Sequence, residues 1–156
     1  MLKDKPKIYW DACIFIAWLK DEKRDAGEME DLAGVVAQIS NKEAVMHTSV
    51  MTQTEVLSGT LSEPAQKIFE SIFKRQNIYM VDVTQKIGQL AHDIRNHYRN
   101  KGIKLKTPDA THLATAIIHG ADEFHTFDEQ LLKLNPVVAG YPLKICKPQS
   151  KQASMF

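Results

Sequence analysis

Four acidic residues, Asp11, Glu55, Asp109 and Asp128, stand in four separate segments of the chain. Carboxylates gathered from separate segments suit one chemistry in particular, the holding of a hard divalent cation by oxygen ligands. Two unit negative charges about 4 Å apart repel by roughly 4 kcal/mol at an effective dielectric of about 20, so such a cluster needs a cation or protons. No convergent set of His or Cys competes with the acids in the sequence, which makes Mg²⁺ or Mn²⁺ the expected ion. Singly, each acid also has a structural explanation. Asp11 and Asp128 fit helix N-caps, Asp109 fits a first-turn acid facing the helix dipole, and Glu55 stands three residues after Thr52, as in a capping box.

Whether the acids meet depends on the elements that carry them. Lys7-Ile8-Tyr9-Trp10 is a β-prone run ending at Asp11, and residues 12–19 read as a helix closed by the charged segment 20–24. Met29, Leu32, Val35, Val36 and Ile39 then form one apolar helical stripe, with Glu28, Glu30 and Asp31 in the first turns. Residues 43–48 make a second strand candidate, and Val50–Leu57 a helix broken by Ser58-Gly59. Pro64 opens a helix running to Phe73, and 77–83 is strand-like. Ile87, Leu90, Ala91, Ile94 and Tyr98 recur at helical spacing up to Gly102. Thr107-Pro108 starts a helix with an apolar face of Ala110, Leu113, Ala114, Ile117 and Ile118, closed by Gly120. A strand at 123–126, a short helix at 128–134 and a last strand at 142–147 follow.

This alternation predicts an α/β fold, a three-layer α/β/α sandwich around a mainly parallel sheet. In such sheets ligands bind beyond the carboxyl ends of the strands, near the point where strand order reverses. Asp11 and Asp128 lie just past strand ends, whereas Asp122 precedes its strand and belongs at the opposite edge. Residues 1–148 read as one domain without repeat or linker, and 149–156 as a loose tail.

A nearly balanced charge, formally +1, excludes a protein that grips nucleic acid by a large overall positive field, so any such site must be local. Cys13 and Cys146 lack zinc-finger or redox spacing and read as buried thiols in a reducing compartment. The charged start and the lack of a long uncharged apolar stretch predict a cytoplasmic protein with no membrane span.

The runs Tyr9-Trp10-Asp11-Ala12-Cys13, Thr52-Gln53-Thr54-Glu55-Val56-Leu57, Thr107-Pro108-Asp109-Ala110-Thr111-His112-Leu113-Ala114-Thr115-Ala116 and His125-Thr126-Phe127-Asp128 resemble the PIN-domain family in order and spacing. In size and in the helix after Asp109 the chain looks most like the VapC-type toxins of toxin–antitoxin modules. The resemblance implies an α/β/α fold whose acidic pocket, here Asp11, Glu55, Asp109 and Asp128, binds Mg²⁺ or Mn²⁺ to cut single-stranded or looped RNA. It also implies a VapB-type antitoxin partner, a homodimer, and products with 5′-phosphate and 3′-hydroxyl ends. Thr126 matches a hydroxyl position near the last acid that orients a phosphate or water, its other reading being a cap for the helix containing Glu129. Ala12 and Gln130 depart from the family pattern, where many relatives carry a hydroxyl and some an acid. One-metal and two-metal mechanisms both remain open.

For the RNA itself, Lys101, Lys104 and Lys106 precede Asp109, and Lys74-Arg75, Arg95 and Arg99 add local positive charge, although each also fits a solvated face. Tyr98 could stack on a base but fits packing better from its place in the apolar stripe, and His112, one helical turn from Asp109, reads as a surface or packing histidine and not as a general acid. A catalytically silent PIN scaffold and a receiver-like signalling domain are the alternative readings. Dehalogenase-type phosphatase chemistry would need an acid where Cys13 stands.

Overall fold

The computed structural model describes residues 5–57 and 61–150. Its first strand, β1 (Lys7–Trp10), ends at Asp11 and gives way to α1 (Ala12–Lys20) and α2 (Glu28–Ser40). Then come β2 (Val45–Ser49), α3 (Val50–Leu57), α4 (Glu63–Ile72), β3 (Ile78–Val81), α5 (Gln85–Arg99), α6 (Thr107–Ile118) and β4 (Glu123–His125). The chain closes with α7 (Glu129–Leu132), β5 (Val137–Val138), β6 (Tyr141–Pro142) and β7 (Lys144–Cys146). Every element read from the sequence ahead of residue 142 is present with the expected type. Ser58-Gly59, read as the break after α3, lie outside the described residues.

Five strands form one sheet in the order β3-β2-β1-β4-β7, with all four pairings parallel. Alternate side chains of β1 serve opposite faces, as a pleated strand requires. Ile8 and Trp10 pack with α1, α2 and α4, while Tyr9 packs with Phe124, α5 and α6. The two apolar clusters are the two cores of the three-layer sandwich. Helices before β3 cover one face and those after it the other, so chain direction across the sheet reverses between β1 and β4. A receiver-like domain has the order 2-1-3-4-5, and the order seen here removes that alternative.

One difference from the sequence reading concerns the last strand. Instead of a continuous strand over 142–147, Pro142 pairs in a two-stranded antiparallel ribbon with Val137, and only Lys144–Cys146 joins the main sheet, beside β4. Proline has no N–H to give to a ladder, and the two-residue strands are too short to show alternation in sequence. Ser150 donates its amide to Asp31 (3.3 Å) and lies against Gly34.

Local signals set the helix starts. Ser62 caps α4 and Thr84 caps α5 through their hydroxyls, and Pro108 occupies the tolerated first turn of α6. The junction between β2 and α3 is held by a buried hydroxyl pair. Thr48 donates to the carbonyl of Trp10 (2.8 Å) and accepts from Thr52 (2.6 Å), which lies inside α3 and so forms no capping box with Glu55. This pair ties the end of β1, next to Asp11, to the helix bearing Glu55. Thr48→Val keeps the shape but removes the donor to Trp10 and the acceptor for Thr52. A loss of about 1–3 kcal/mol is expected, read as a lower urea midpoint with unchanged slope.

Candidate active site

Asp11 and the 126–128 segment stand side by side at the carboxyl ends of β1 and β4, the two strands between which the order reverses. The Asp11 amide reaches the carbonyl of His125 (3.4 Å), joining the two strand ends directly. Asp122, by contrast, pairs with Lys7 at the other edge of the sheet, accepting the Lys7 amide at 2.8 Å. Its exclusion from the site follows from its place before β4.

Asp11 is buried and occupies the N-cap position of α1 without making a side-chain cap bond. Its carboxylate is instead held by the Cys13 thiol, which donates to Oδ1 at 2.8 Å, and by the Thr126 hydroxyl. Burial raises its pKa, and these two hydrogen bonds and His112 partly oppose the rise. Cys13 in turn accepts the amide of Phe127 (3.3 Å), so one thiol links the first acid to the loop that carries the last. Burial and the charge of Asp11 push that thiol far up, so it remains protonated and donating.

Thr126 is fully buried, and its hydroxyl also accepts the amide of Asp128 (3.0 Å). The cap of α7 is Asp128 itself, through Oδ1 to the Gln130 amide (2.8 Å). Asp128 is exposed, and its second oxygen has no such role in the turn.

Glu55 is oriented by a two-step relay. Its Oε1 lies 2.6 Å from Nε2 of His112, and Nδ1 of His112 lies 2.6 Å from the hydroxyl of Tyr9. A carboxylate only accepts, so Nε2 carries the hydrogen and Nδ1 accepts from Tyr9. His112 and Tyr9 are 1% and 0% exposed, so the imidazole is locked in place as a positioning group for Glu55. The i, i+3 spacing on α6 puts Asp109 and His112 on one side of that helix. Sequence reading treated His112 as a surface or packing histidine and Cys13 as a buried thiol. The i, i+3 relation to Asp109 and the i, i+2 relation to Asp11 were the available signals, but their partners are distant in sequence or set by side-chain rotation.

Asp109 reports how the acids combine. Its carboxyl is pushed up to about 6, first by burial, then by the charges of Asp128 and Asp11, and less by Glu55, with His112 opposing. Asp109 thus responds to the charges of the other three predicted acids. The donor set is four carboxylates whose repulsion a hard dication would relieve, and Mg²⁺ or Mn²⁺ fits it. The carboxylates do not yet form a closed cage. Among the described residues, three ligand atoms within 4.8 Å of one another occur at Glu123, His125 and Cys146 and not at the acids.

At the rim, Lys101, Lys104 and Lys106 are exposed in the segment between α5 and α6, and the carbonyl of Lys104 accepts from Gln130 of α7 (3.2 Å). Arg24, from the charged segment that follows α1, lies over the ring of Phe127, the residue before Asp128, at 3.8 Å. Arg95 is used structurally, donating to the carbonyl of Leu105 (3.0 Å). Tyr98 is buried, its hydroxyl accepting the Ala139 amide (3.1 Å), so it is a packing residue. No helix among the described residues is long and apolar enough to cross a membrane.

Comparison with known proteins adds a family and a set of folds. The PIN domain matches residues 8–135. No curated protein matches the chain in sequence. Among solved structures, VapBC2 from Rickettsia felis, bound to a DNA fragment from its promoter, superposes with a TM-score of 0.66 at 12% identity, covering 89% of this chain and 98% of that one. DNA-bound VapBC from Salmonella typhimurium gives 0.63 at 16% identity, over 90% and 98% of the two chains. Mycobacterium tuberculosis VapC20, a sarcin-ricin loop cleaving toxin, gives 0.60 at 17% identity, over 81% and 94%. At these identities the likeness is one of fold.

The raised Asp109 makes a prediction about stability. The folded state binds this proton more tightly than the unfolded chain, so the associated stability is present near pH 4 and is lost as pH rises through about 6. In chelator at pH 7, Asp109→Asn is expected to stabilise the protein by about 1–2 kcal/mol, allowing for solvent screening of a half-buried group. Denaturant unfolding of both proteins from pH 4 to 8 checks this, with the gap closing at the acid end.

Proposed function

The chain belongs to the PIN-domain family, and from that premise we propose that it is a metal-dependent endoribonuclease, the toxin of a VapBC-type toxin–antitoxin pair. The observation that carries this reading is the mutual electrostatic coupling of Asp109 with Asp128, Asp11 and Glu55 at the reversal point of the sheet. Such a pocket suits a cation and the phosphate it attracts. The looped RNA substrate is supported by the VapC20 neighbour, described as cleaving the sarcin-ricin loop. A VapB-type partner is supported by the VapBC neighbours. A homodimer belongs to the same proposal.

Asp11 and Asp109 are the proposed direct ligands of Mg²⁺ or Mn²⁺, with Glu55 and Asp128 completing the set or orienting water. When bound, the cation would ease deprotonation of water and neutralise charge on the phosphoryl oxygens. The chain's own groups supply the positioning. Cys13 and Thr126 hold the carboxylate of Asp11, and Tyr9 acts through His112 to fix one oxygen of Glu55. His112 has both nitrogens committed within the protein and does not act as a general acid. Asp128 is the solvent-facing member of the set, suited to a group that takes part as RNA arrives. Lys101, Lys104 and Lys106 would follow the phosphate backbone past the rim.

End-labelled structured RNAs incubated with the protein should be cut with Mg²⁺ or Mn²⁺ and left intact in chelator, giving 5′-phosphate and 3′-hydroxyl ends. Asp11→Asn and Asp109→Asn should each lower the rate by about a hundredfold or more. Undiminished cutting in chelator with 2′,3′-cyclic phosphate ends would overturn the mechanism. Folded protein free of antitoxin that cuts no RNA would favour a silent binding scaffold. A second test concerns the rim. Lys104→Ala and Lys106→Ala should weaken binding uniformly across RNA sequences, each lowering the salt slope by about 0.7 for a single-stranded substrate.

A further inference from the structure

A second donor set lies on β4, on the face turned away from Tyr9. Phe124 stacks on Tyr9 in one core, so its neighbours Glu123 and His125 project toward the opposite face, the side of Trp10 and α2. Parallel pairing puts Cys146 of the edge strand β7 in register with His125, and Lys144 in register with Glu123. Three different ligand types thereby meet. Nε2 of His125 is 2.9 Å from Oε1 of Glu123, and Sγ of Cys146 is 3.8 Å from the same oxygen. All three ligand atoms lie within 4.8 Å of one another. Glu123 and His125 border a cavity of about 300 Å³ that Val35, Gln38, Lys144 and Ser150 also line.

We propose that Glu123, His125 and Cys146 form a zinc-type metal site, separate from the acidic pocket, that clamps the edge strand β7 to β4. The donor set carries the choice of ion, since imidazole nitrogen, thiolate sulfur and carboxylate oxygen are the ligands zinc takes, whereas Mg²⁺ avoids sulfur. The spacing is close to what such an ion needs. Tetrahedral zinc with bonds of about 2.0–2.3 Å sets its ligand atoms roughly 3.3–3.7 Å apart. The 2.9 Å contact opens by a few tenths of an ångström and the 3.8 Å contact closes by less. The third pair, His125 and Cys146, lies within 4.8 Å and closes by rotation of side chains on adjacent strands.

The second ring nitrogen of the histidine is uncommitted among the described residues. His125 is 1% exposed, yet its Nδ1 has no hydrogen-bond partner. In the metal-free protein Glu123 holds the imidazole hydrogen on Nε2, and no donor to Nδ1 reinforces that arrangement. Coordination moves that hydrogen to Nδ1 and releases the thiol hydrogen of Cys146, so one proton leaves for each metal bound. Lys144, 3.8 Å from Oε2 of Glu123, is exposed and stays paired with the oxygen that the metal does not use. The three protein ligands leave a fourth position open to water.

The location gives the site a structural consequence. The backbone of His125 continues into Thr126 and Asp128, and its carbonyl accepts the amide of Asp11. A metal on its side chain would therefore stiffen the strand end that carries half of the acidic pocket, without entering that pocket.

The test is a Co²⁺ titration of the metal-free full-length protein, followed by near-ultraviolet absorption, which reports a thiolate bound to the metal. Wild type, Cys13→Ser and Asp109→Asn should each show a charge-transfer band saturating at about one equivalent. Cys146→Ser, verified as folded by circular dichroism, should lose the band and bind Zn²⁺ at least about tenfold more weakly in competition with a chromophoric chelator. Absence of the band from folded wild type, its survival in Cys146→Ser or its loss in Cys13→Ser would overturn the proposal. Because the readout is independent of RNA cleavage, it stands or falls apart from the nuclease reading.

Discussion

Carboxylates drawn together at the end of a sheet repel one another, and this repulsion is the constraint around which the rest of the chain is arranged. Asp11, Glu55, Asp109 and Asp128 come from β1, α3, α6 and the turn after β4. Only a rigid frame keeps such groups close when each would be more stable apart. The frame is a parallel sheet covered on both faces, with one apolar core under α1, α2 and α4 and another under α5 and α6. Reversal of strand order between β1 and β4 opens the crevice in which the acids meet. The packing of the two cores offsets the electrostatic cost, and Asp109, with its carboxyl raised to about 6, retains the trace of it.

Within that frame hydrogen-bond donors fix the direction of the buried Asp11 and the half-buried Glu55. Cys13 and Thr126 do this for Asp11, and His112, backed by Tyr9, does it for Glu55. A thiol and a hydroxyl orient the Asp11 carboxylate without cancelling its charge, so it keeps its affinity for a cation. An arginine or lysine in the same places would have satisfied the acids and removed that affinity. The cations instead stand at the rim, where Arg24 lies over Phe127 and Lys104 is tied through its carbonyl to Gln130.

Strand β4 separates two kinds of ligand chemistry. Its backbone and the turn after it serve the crevice with hard oxygen donors. Its side chains at Glu123 and His125, with Cys146 beside them, gather nitrogen, sulfur and oxygen on the opposite side of the strand from Phe124. Pleating places the softer set there, because residues two apart on a strand share a face and parallel neighbours in register share it too.

Much of this protein was legible in the order of its residues. The switch from a period of two to one of 3.6 at Asp11, the proline opening α6 and the apolar stripes of α2 and α5 identify elements through interactions between near neighbours. The place of Asp11 and Asp128 after strands, and of Asp122 before one, follows from chain direction alone. The order β3-β2-β1-β4-β7 could not be read that way, since strand order is settled by which apolar faces cover each other across the whole chain. Nor could the roles of Cys13 and His112. Tyr9 and His112 are 103 residues apart in sequence, and Cys13, although near Asp11, makes its bond through a side-chain orientation imposed by Thr126 and Phe127. The two-residue strands β5 and β6 were invisible for another reason, being too short to carry a period. Local spacing thus determined the elements and nominated the acids, whereas the strand order, the network that aims the acids and the second donor set came only with tertiary structure, because those contacts join residues whose separation along the chain carries no signal of their meeting.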